Sequence, residues 1–335
     1  MGAYADLIPI HVLTGFLGSG KTTVLKHLLQ SPRLQDTAVL VNEFGEVGLD
    51  HHLIEHASES TLLLDNGCLC CAVRGDLQVS LRDLLERRER GEIPRFERVV
   101  IETSGLADPV PIAYTVLADP MVQHHYRLGN ILTVVDAVNT AAGLSRFPES
   151  EKQVLTADHL LISKLDLADA EDPRALLARL NPSARISDAS DLDPAALLAD
   201  DLYTAAGKKR AVDQWRDAAA NGAADDHHHS DGVTSFCLTF DAPLDWSAFG
   251  IWMTMLLNRH GEKVLRIKGM LNVAGLSAPV LVNGVQHIVH PPTHLEAWPD
   301  EDRRSRLIFI TREMAREPIE ASLLAFNALA NKRAA

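Results

Sequence analysis

The sequence predicts an α/β protein, a parallel sheet with helices on both faces, followed by a smaller α+β domain. Three observations predict it. Short continuous apolar runs at Ile8–Leu13, Thr37–Val41, Thr61–Leu64, Arg98–Ile101, Ile131–Val135 and His159–Ile162 are separated by longer stretches, several of them amphipathic. Strands apolar on both faces need cover on both faces, which repeated βα units supply. The first run leads into a glycine-rich turn, Gly15–Thr23, and a helical stretch, Thr22–Gln30. From Val233 onward the order changes to strands bracketed by two helices, the pattern of an α+β unit.

Each element follows from its own residues. In Asp76–Arg90, Leu77, Leu81, Leu84 and Leu85 fall on one helical face. Residues 207–232 are rich in Ala, Asp and His and contain "DDHHHSDG"; they read as an exposed connector between a domain at 1–206 and another at 233–335. In the second domain Val233–Phe240 alternates as a strand and Trp246–His260 reads as an apolar helix. Strands are expected at Val264–Val273, Val280–Val289 and Leu307–Thr311, and a closing helix at Ile319–Asn331.

Composition excludes several classes. At 335 residues, 46% hydrophobic and 23% charged, the chain reads as an ordinary globular protein of two domains. With 32 basic and 45 acidic residues, net −13, it is poorly suited to nucleic acid or an anionic membrane. No apolar run approaches the roughly 20 residues that span a bilayer, and the first residues lack the basic start of a signal peptide. Four cysteines, three of them nearly adjacent, do not make a disulfide framework. The expected compartment is the cytoplasm.

The turn after the first strand, "GFLGSGKTT", fits G-x-x-x-x-G-K-[ST] between a strand and a helix. Gly15, Gly18 and Gly20 let backbone N–H groups around Ser19 and Thr23 curl about an anion at a helix N-terminus. Lys21 would reach the β- and γ-phosphates of a nucleotide, and the Thr22 hydroxyl would ligate Mg²⁺. "VVIETSGLADP" ends a buried strand at Glu102, placing a carboxylate at the phosphate crevice; capping the next helix is the alternative. "LLISKLDL" sets Lys164 and Asp166 just past another strand. Asp166 could accept from guanine N1–H and the 2-amino group, donors adenine lacks, with the Lys164 stem along the base. Ser163 stands where Asn is usual, which predicts weaker guanine selectivity, and a plain exposed turn is the alternative.

"DNGCLCCAVR" crowds Cys68, Cys70 and Cys71 into four residues. Three thiolates so placed can converge on one soft or borderline ion, with Zn–S distances of about 2.3 Å, and leave a tetrahedral position open. Arg74 and the helix that follows favour thiolate over thiol. A redox pair is the competing reading, without the C-x-x-C spacing of one. Cys237, in an alternating strand, reads as core. Glu43 in "VNEFGEVG", a candidate switch loop, is open both as a fourth ligand and as a group near the nucleotide. His227, His228 and His229 read as connector that could hold ions weakly.

Taken in order, "TGFLGSGKTT", "NEFGEVG", "NGCLCC", "ETSGLADP" and "SKLDL" resemble the CobW-type GTPases, a group of metal-handling GTPases. "VLRIKGMLNV" and "VNGVQHIV" resemble the small C-terminal domain of that family. The resemblance implies a P-loop NTPase fold and GTP hydrolysis coupled to delivery of Zn²⁺ to a client metalloprotein. It implies that Gly18–Thr23 hold phosphates and Mg²⁺, that Glu102 supports the magnesium, that Ser163, Lys164 and Asp166 read guanine, and that Cys68, Cys70 and Cys71 carry the cargo. Co²⁺ or Ni²⁺ insertion is the alternative within the family, and a P-loop small-molecule kinase with structural zinc the alternative outside it. A homodimer across the nucleotide face also fits the group. Val41 departs from the Glu that many relatives carry before Asn-Glu-Phe-Gly, and the N-terminus lacks the proline-containing motif that docks some relatives on methionine aminopeptidase.

Overall fold

The structure is a computed structural model that describes residues 4–41, 62–65, 74–167, 173–199, 201–221, 227–228 and 232–334. It divides into two compact units, residues 1–175 with 184–204, and residues 176–183 with 205–335.

The first unit is built on β1 Ile8–Thr14, β2 Thr37–Val41, β3 Leu62–Asp65, β4 Arg98–Glu102, β5 Tyr126–Asp136, β6 His159–Ser163 and β7 Arg185–Asp188. These lie in the order β3-β2-β4-β1-β5-β6-β7, every neighbouring pair parallel. The helices α1 Lys21–Leu29, α2 Arg74–Glu89, α3 Val110–Ala118, α4 Thr140–Arg146, α5 Pro148–Thr156, α6 Arg174–Leu180, whose residues from Leu176 belong to the second unit, and α7 Pro194–Ala199 follow in chain order. β7 goes beyond the expected strands; its four residues, RISD, carry a single apolar side chain, too few for a pattern. Helix α1 shows why the layers hold: Val24, Leu25, Leu28 and Leu29 form a buried stripe. It packs with Leu13, Val39, Val100, Leu132 and Leu161 from five strands. Each fully buried leucine is worth about 1.5–3 kcal/mol, so the sheet rather than the glycine turn fixes α1.

One buried group in the central strand titrates. The β1–β5 register shifts between Ile10 and Val12, and His11 fits there because Gly129 has no side chain; a Cβ on Gly129 would lie 2.7 Å from the ring. His11 Nδ1 accepts the Asn130 N–H at 3.1 Å. Burial, and then the charges of Arg127 and Arg98, pull the pKa of His11 from 6.5 to about 3. The unfolded chain therefore takes up this proton below pH 6.5, while the folded chain refuses it until about 3. Stability is unaffected by this group above that window and falls within it as pH drops, by about 1.4 kcal/mol per unit. In denaturant melts between about pH 6.5 and 4, His11→Gln should flatten the loss of unfolding free energy by one proton's slope; an unchanged slope would reject a neutral buried His11.

The second unit carries β8 His227–His228, β9 Val233–Phe240, β10 Val264–Leu271, β11 Val280–Val285, β12 Ile288–Val289, β13 Thr293–His294 and β14 Ser305–Arg312. They form an antiparallel sheet in the order β12-β11-β10-β14-β9-β8, with β13 against β11. Its helices are α8 Ala205–Asn221, α9 Trp246–His260 and α10 Arg316–Ala334. Phe236, Trp252, Phe309, Ile319 and Leu323 share one core, and the Trp252 indole N–H donates to Ser322 Oγ at 2.8 Å. Asp245 caps α9 by accepting the Ala248 N–H at 2.7 Å. Cys237 is buried, as expected.

Two expectations are corrected. Residues 205–221, which include the first half of the expected connector, form α8 against β10 and β14. Its alanines favour helix, and Val212 and Trp215, three apart, bury their side chains. His227 and His228 pair with Ser235 and Thr234. Val280–Val289 is a hairpin rather than one strand, turned at Gln286, whose φ is 50°. No helix among the described residues is long and apolar enough to cross a membrane.

Candidate functional site

The strands of the first unit deliver their chemistry to one edge. Leu13 is in register with Glu102 and Val41 with both Glu102 and Asp65, while Thr14 pairs with Thr133 and Asp136 with Ser163. These are carboxyl ends, where open α/β sheets bind ligands.

The turn from β1 to α1 wraps at that edge. Gly15, Gly18 and Gly20 have φ of 144°, 70° and 95°. A side chain at Gly15 would also put its Cβ 2.3 Å from Val134 O, so glycine is required twice over. Gly20 precedes α1 with no side-chain cap on the helix, which leaves the first-turn N–H groups and the positive end of the dipole for an anion. Lys21 Nζ donates to Gly15 O at 3.0 Å and Phe16 O at 3.3 Å, so its ammonium is folded over the turn. Ser19 is buried and its Oγ is unpartnered among the described residues, as is Ser104 Oγ nearby in sequence to Glu102. Orphaned hydroxyls here suit an oxygen-rich ligand.

Glu102 ends β4 and is 5% exposed. The Thr22 hydroxyl donates to its Oε1 at 2.8 Å. Capping the next helix is therefore not its role; α3 starts at Val110, after Pro109, and its first N–H donates to Asp108 Oδ1 at 2.9 Å. Because the Thr22 proton points to Glu102, the hydroxyl lone pairs are left for a cation, and the oxygen-only donor set fits a hard ion such as Mg²⁺. The loop that follows is tied down on both sides. Thr103 N–H donates to Leu13 O at 2.9 Å and its hydroxyl to Thr14 Oγ1 at 2.8 Å. Gly105 packs so closely on Leu17 that a Cβ would meet its backbone N at 2.6 Å. Gln153 Nε2 holds Gly105 O and Ala107 O at 3.1 and 3.0 Å.

On the other side of β1, Ser163 Oγ donates to the turn itself, at Ser19 O, 2.6 Å away. Ser163, where Asn is usual, thus makes a direct tether to the glycine turn. Lys164 has φ 58°, unusual for a residue with a side chain, and Asp166 is exposed in one turn of 3₁₀ helix, Leu165–Leu167. A cavity of about 230 Å³ opens beside the turn, lined by Phe16, Ser19, Asp136, Phe147 and Gln153 among others. Lys21, Thr22 and Glu102 do not line it, so it is distinct from the space those three residues face.

Asp136 and Gln153 were not singled out by sequence. Asp136 had a readable signal, since it ends an apolar run as Glu102 does; Gln153, inside a helix, had none. Cys68, Cys70, Cys71, Glu43 and His229 lie outside the described residues. Their flanks are placed: β2 ends at Val41, before Asn42, and β3 ends at Asp65, before the cysteines, with Val41 and Asp65 paired. Among the described residues no three His, Cys, Asp or Glu side chains gather as a metal site.

Residues 9–188 match the family model described as "CobW/HypB/UreG, nucleotide-binding domain", and residues 233–327 match "Cobalamin synthesis protein cobW C-terminal domain". The chain is 33% identical over 318 residues to zinc chaperone YjiA of Escherichia coli, covering 94% of this chain and 97% of that one. It is 28% identical over 354 residues to zinc chaperone CobW of a Sinorhizobium species, covering 95% and 97%. A solved structure, a Zn(II)-bound triple mutant of YjiA GTPase with one glutamate and two cysteines replaced by alanine, superposes with a TM-score of 0.69 at 28% identity, covering 96% and 99%.

Proposed function

We propose that this chain, which belongs to the CobW/HypB/UreG family, is a GTP-hydrolysing zinc chaperone that loads Zn²⁺ on Cys68, Cys70 and Cys71 and passes it to a client metalloprotein. The observation that carries the nucleotide half is the Thr22–Glu102 hydrogen bond at the uncapped start of α1. The metal half rests on the cysteine spacing and on the zinc chaperones the chain resembles. The reaction is GTP + H₂O → GDP + phosphate.

In this reading the N–H groups from Gly18 to Thr23 and the Lys21 ammonium bind the β- and γ-phosphates and oppose the charge that grows on the transferring phosphoryl group. Thr22 and Glu102 would hold Mg²⁺, which supplies charge neutralisation between the phosphates when bound. Asp166 reads the guanine edge and Lys164 lies along the base. Glu43 is the candidate for orienting water, by its place in the segment after β2. That segment and the cysteine segment leave the sheet from the paired residues Val41 and Asp65. A change in one at hydrolysis would therefore act at the base of the other. The second unit, residues 176–183 with 205–335, contains the client-docking piece, residues 233–335, and residues 1–206 carry the nucleotide and metal chemistry. Leu17, Leu106, Val138 and Phe147 are exposed around the nucleotide edge, a surface that fits a second copy of the chain.

The test is an anaerobic Zn²⁺ titration against a colorimetric chelator, with GDP-Mg²⁺, with a non-hydrolysable GTP analogue, and with neither. Zinc bound to a relative lacking two cysteines shows that stoichiometry alone is a poor readout, so nucleotide dependence is the measure. Affinity should differ about 5–150-fold between the two nucleotide states, as coupling of about 1–3 kcal/mol gives. Cys68/Cys70/Cys71→Ser should erase that difference. Identical affinity in all three conditions would leave the cysteines as a passive store.

A further inference from the structure

We propose that Asp136 is a positioning residue for base recognition, holding Lys164 across the end of β5 so that Asp166 and the lysine stem present one fixed guanine site. The inference rests on the guanine reading above and names a residue that reading does not include.

The carboxylate is built into place. Its Oδ1 accepts the Val138 N–H at 2.9 Å, and its Oδ2 accepts Asn139 Nδ2 at 3.0 Å and Lys164 Nζ at 2.6 Å. The Asp136 side chain is 12% exposed and that of Lys164 34%, so the pair is half-withdrawn from water. Burial pushes the Asp136 carboxyl upward, but the Lys164 contact, Asn139 and the Val138 N–H outweigh it and hold the group below the usual carboxylate range. It stays an anion facing the ammonium.

Lys164 needs such a partner. Its four-carbon stem is flexible and its head is strongly hydrated, so nothing intrinsic makes it lie along a base. Its φ of 58° also has to be maintained by surrounding contacts. Two are visible: Ser163 Oγ on Ser19 O at one side and Asp136 on Lys164 Nζ at the other. Asp166 follows two residues later in the same turn. Asp136 therefore acts on the base through Lys164.

The competing idea is that Asp136 only closes its own turn, through Val138 and Asn139. Asp136→Asn separates the two, because it keeps an acceptor for Val138 N–H and removes the charge that faces Lys164. It should raise KM for GTP about tenfold with kcat changed less than about twofold, the signature of lost uniform binding. KM for ATP should rise less, because adenine offers the plane the lysine stem lies along but lacks the donors that Asp166 accepts, so the GTP/ATP preference should fall by more than about twofold. Lys164→Met, which keeps a stem and drops the ammonium, should reproduce the loss and serves if Asp136→Asn fails to fold. Asp166→Asn tests the underlying base reading by shifting preference from GTP toward XTP. If Asp166→Asn shifts it and Asp136→Asn leaves the GTP/ATP ratio within about twofold, the positioning role is overturned alone. If the wild-type chain does not prefer GTP, or Asp166→Asn shifts nothing, the base reading fails and takes this proposal with it.

Discussion

Lys21→Ala is expected to lower single-turnover GTP hydrolysis by about 10²–10³-fold, equivalent to about 2.7–4 kcal/mol of lost transition-state stabilisation. The reasoning starts from where the ammonium sits. It is folded over the turn onto Gly15 O and Phe16 O, which keeps a positive charge over the turn at the uncapped start of α1. Phosphoryl transfer asks little covalent chemistry of a protein and much charge stabilisation, so a preset cation is worth more than its hydrogen bonds in the resting state suggest. Lys21→Arg keeps the charge but replaces a compact ammonium with a broad planar fork; it should rescue poorly, because the close approach of Gly15 to Val134 O leaves the turn no room to widen. Stability should change little, with a melting shift of about 2–4 °C if about 1 kcal/mol is lost. A folded Lys21→Ala protein within about fivefold of wild-type turnover would remove the ammonium from the mechanism.

The contrast between what the residues announced and what they concealed has a physical basis. β1, the glycine turn and α1 were legible because three independent signals agree there: a run of apolar residues, the G-x-x-x-x-G-K-[ST] spacing, and a helical stretch directly after it. The second unit was legible in its strands for a similar reason, since Val233–Phe240 alternates and both faces of the sheet are used. α8 was hidden because two buried residues, Val212 and Trp215, carry its packing, and the charges and alanines around them look the same in a solvated linker. The contacts around the candidate site were hidden for another reason. Lys164 on Asp136, Ser163 on Ser19 and Gln153 on Gly105 join residues 28, 144 and 48 positions apart. No local pattern records such distances. Only the sheet order, which places β4 and β5 on either side of β1 and β6 beside β5, makes them neighbours.

Glu102→Gln carries the second large expectation, and it turns on charge rather than shape. Glutamine can still accept the Thr22 hydroxyl through its carbonyl oxygen, so the 2.8 Å contact and the fold should survive. What disappears is a buried negative charge beside a hydroxyl whose lone pairs are free for a cation. Loss of a group that orients or supports a metal ligand costs about 10–100-fold in metal affinity. The Mg²⁺ concentration giving half-maximal GTP hydrolysis should rise by about that factor, with turnover partly recovered at high Mg²⁺. Thr22→Val should give a similar shift with less recovery, since it removes the ligand itself. Binding of GDP without Mg²⁺ should hardly change in Glu102→Gln, or should tighten, because one anion has left the neighbourhood of the phosphates. That asymmetry is the discriminating feature. If instead Mg²⁺ dependence is unmoved and nucleotide binding falls equally with and without the ion, Glu102 shapes the turn rather than supporting a metal, and the hydroxyl–carboxylate pair would have to be read as structural.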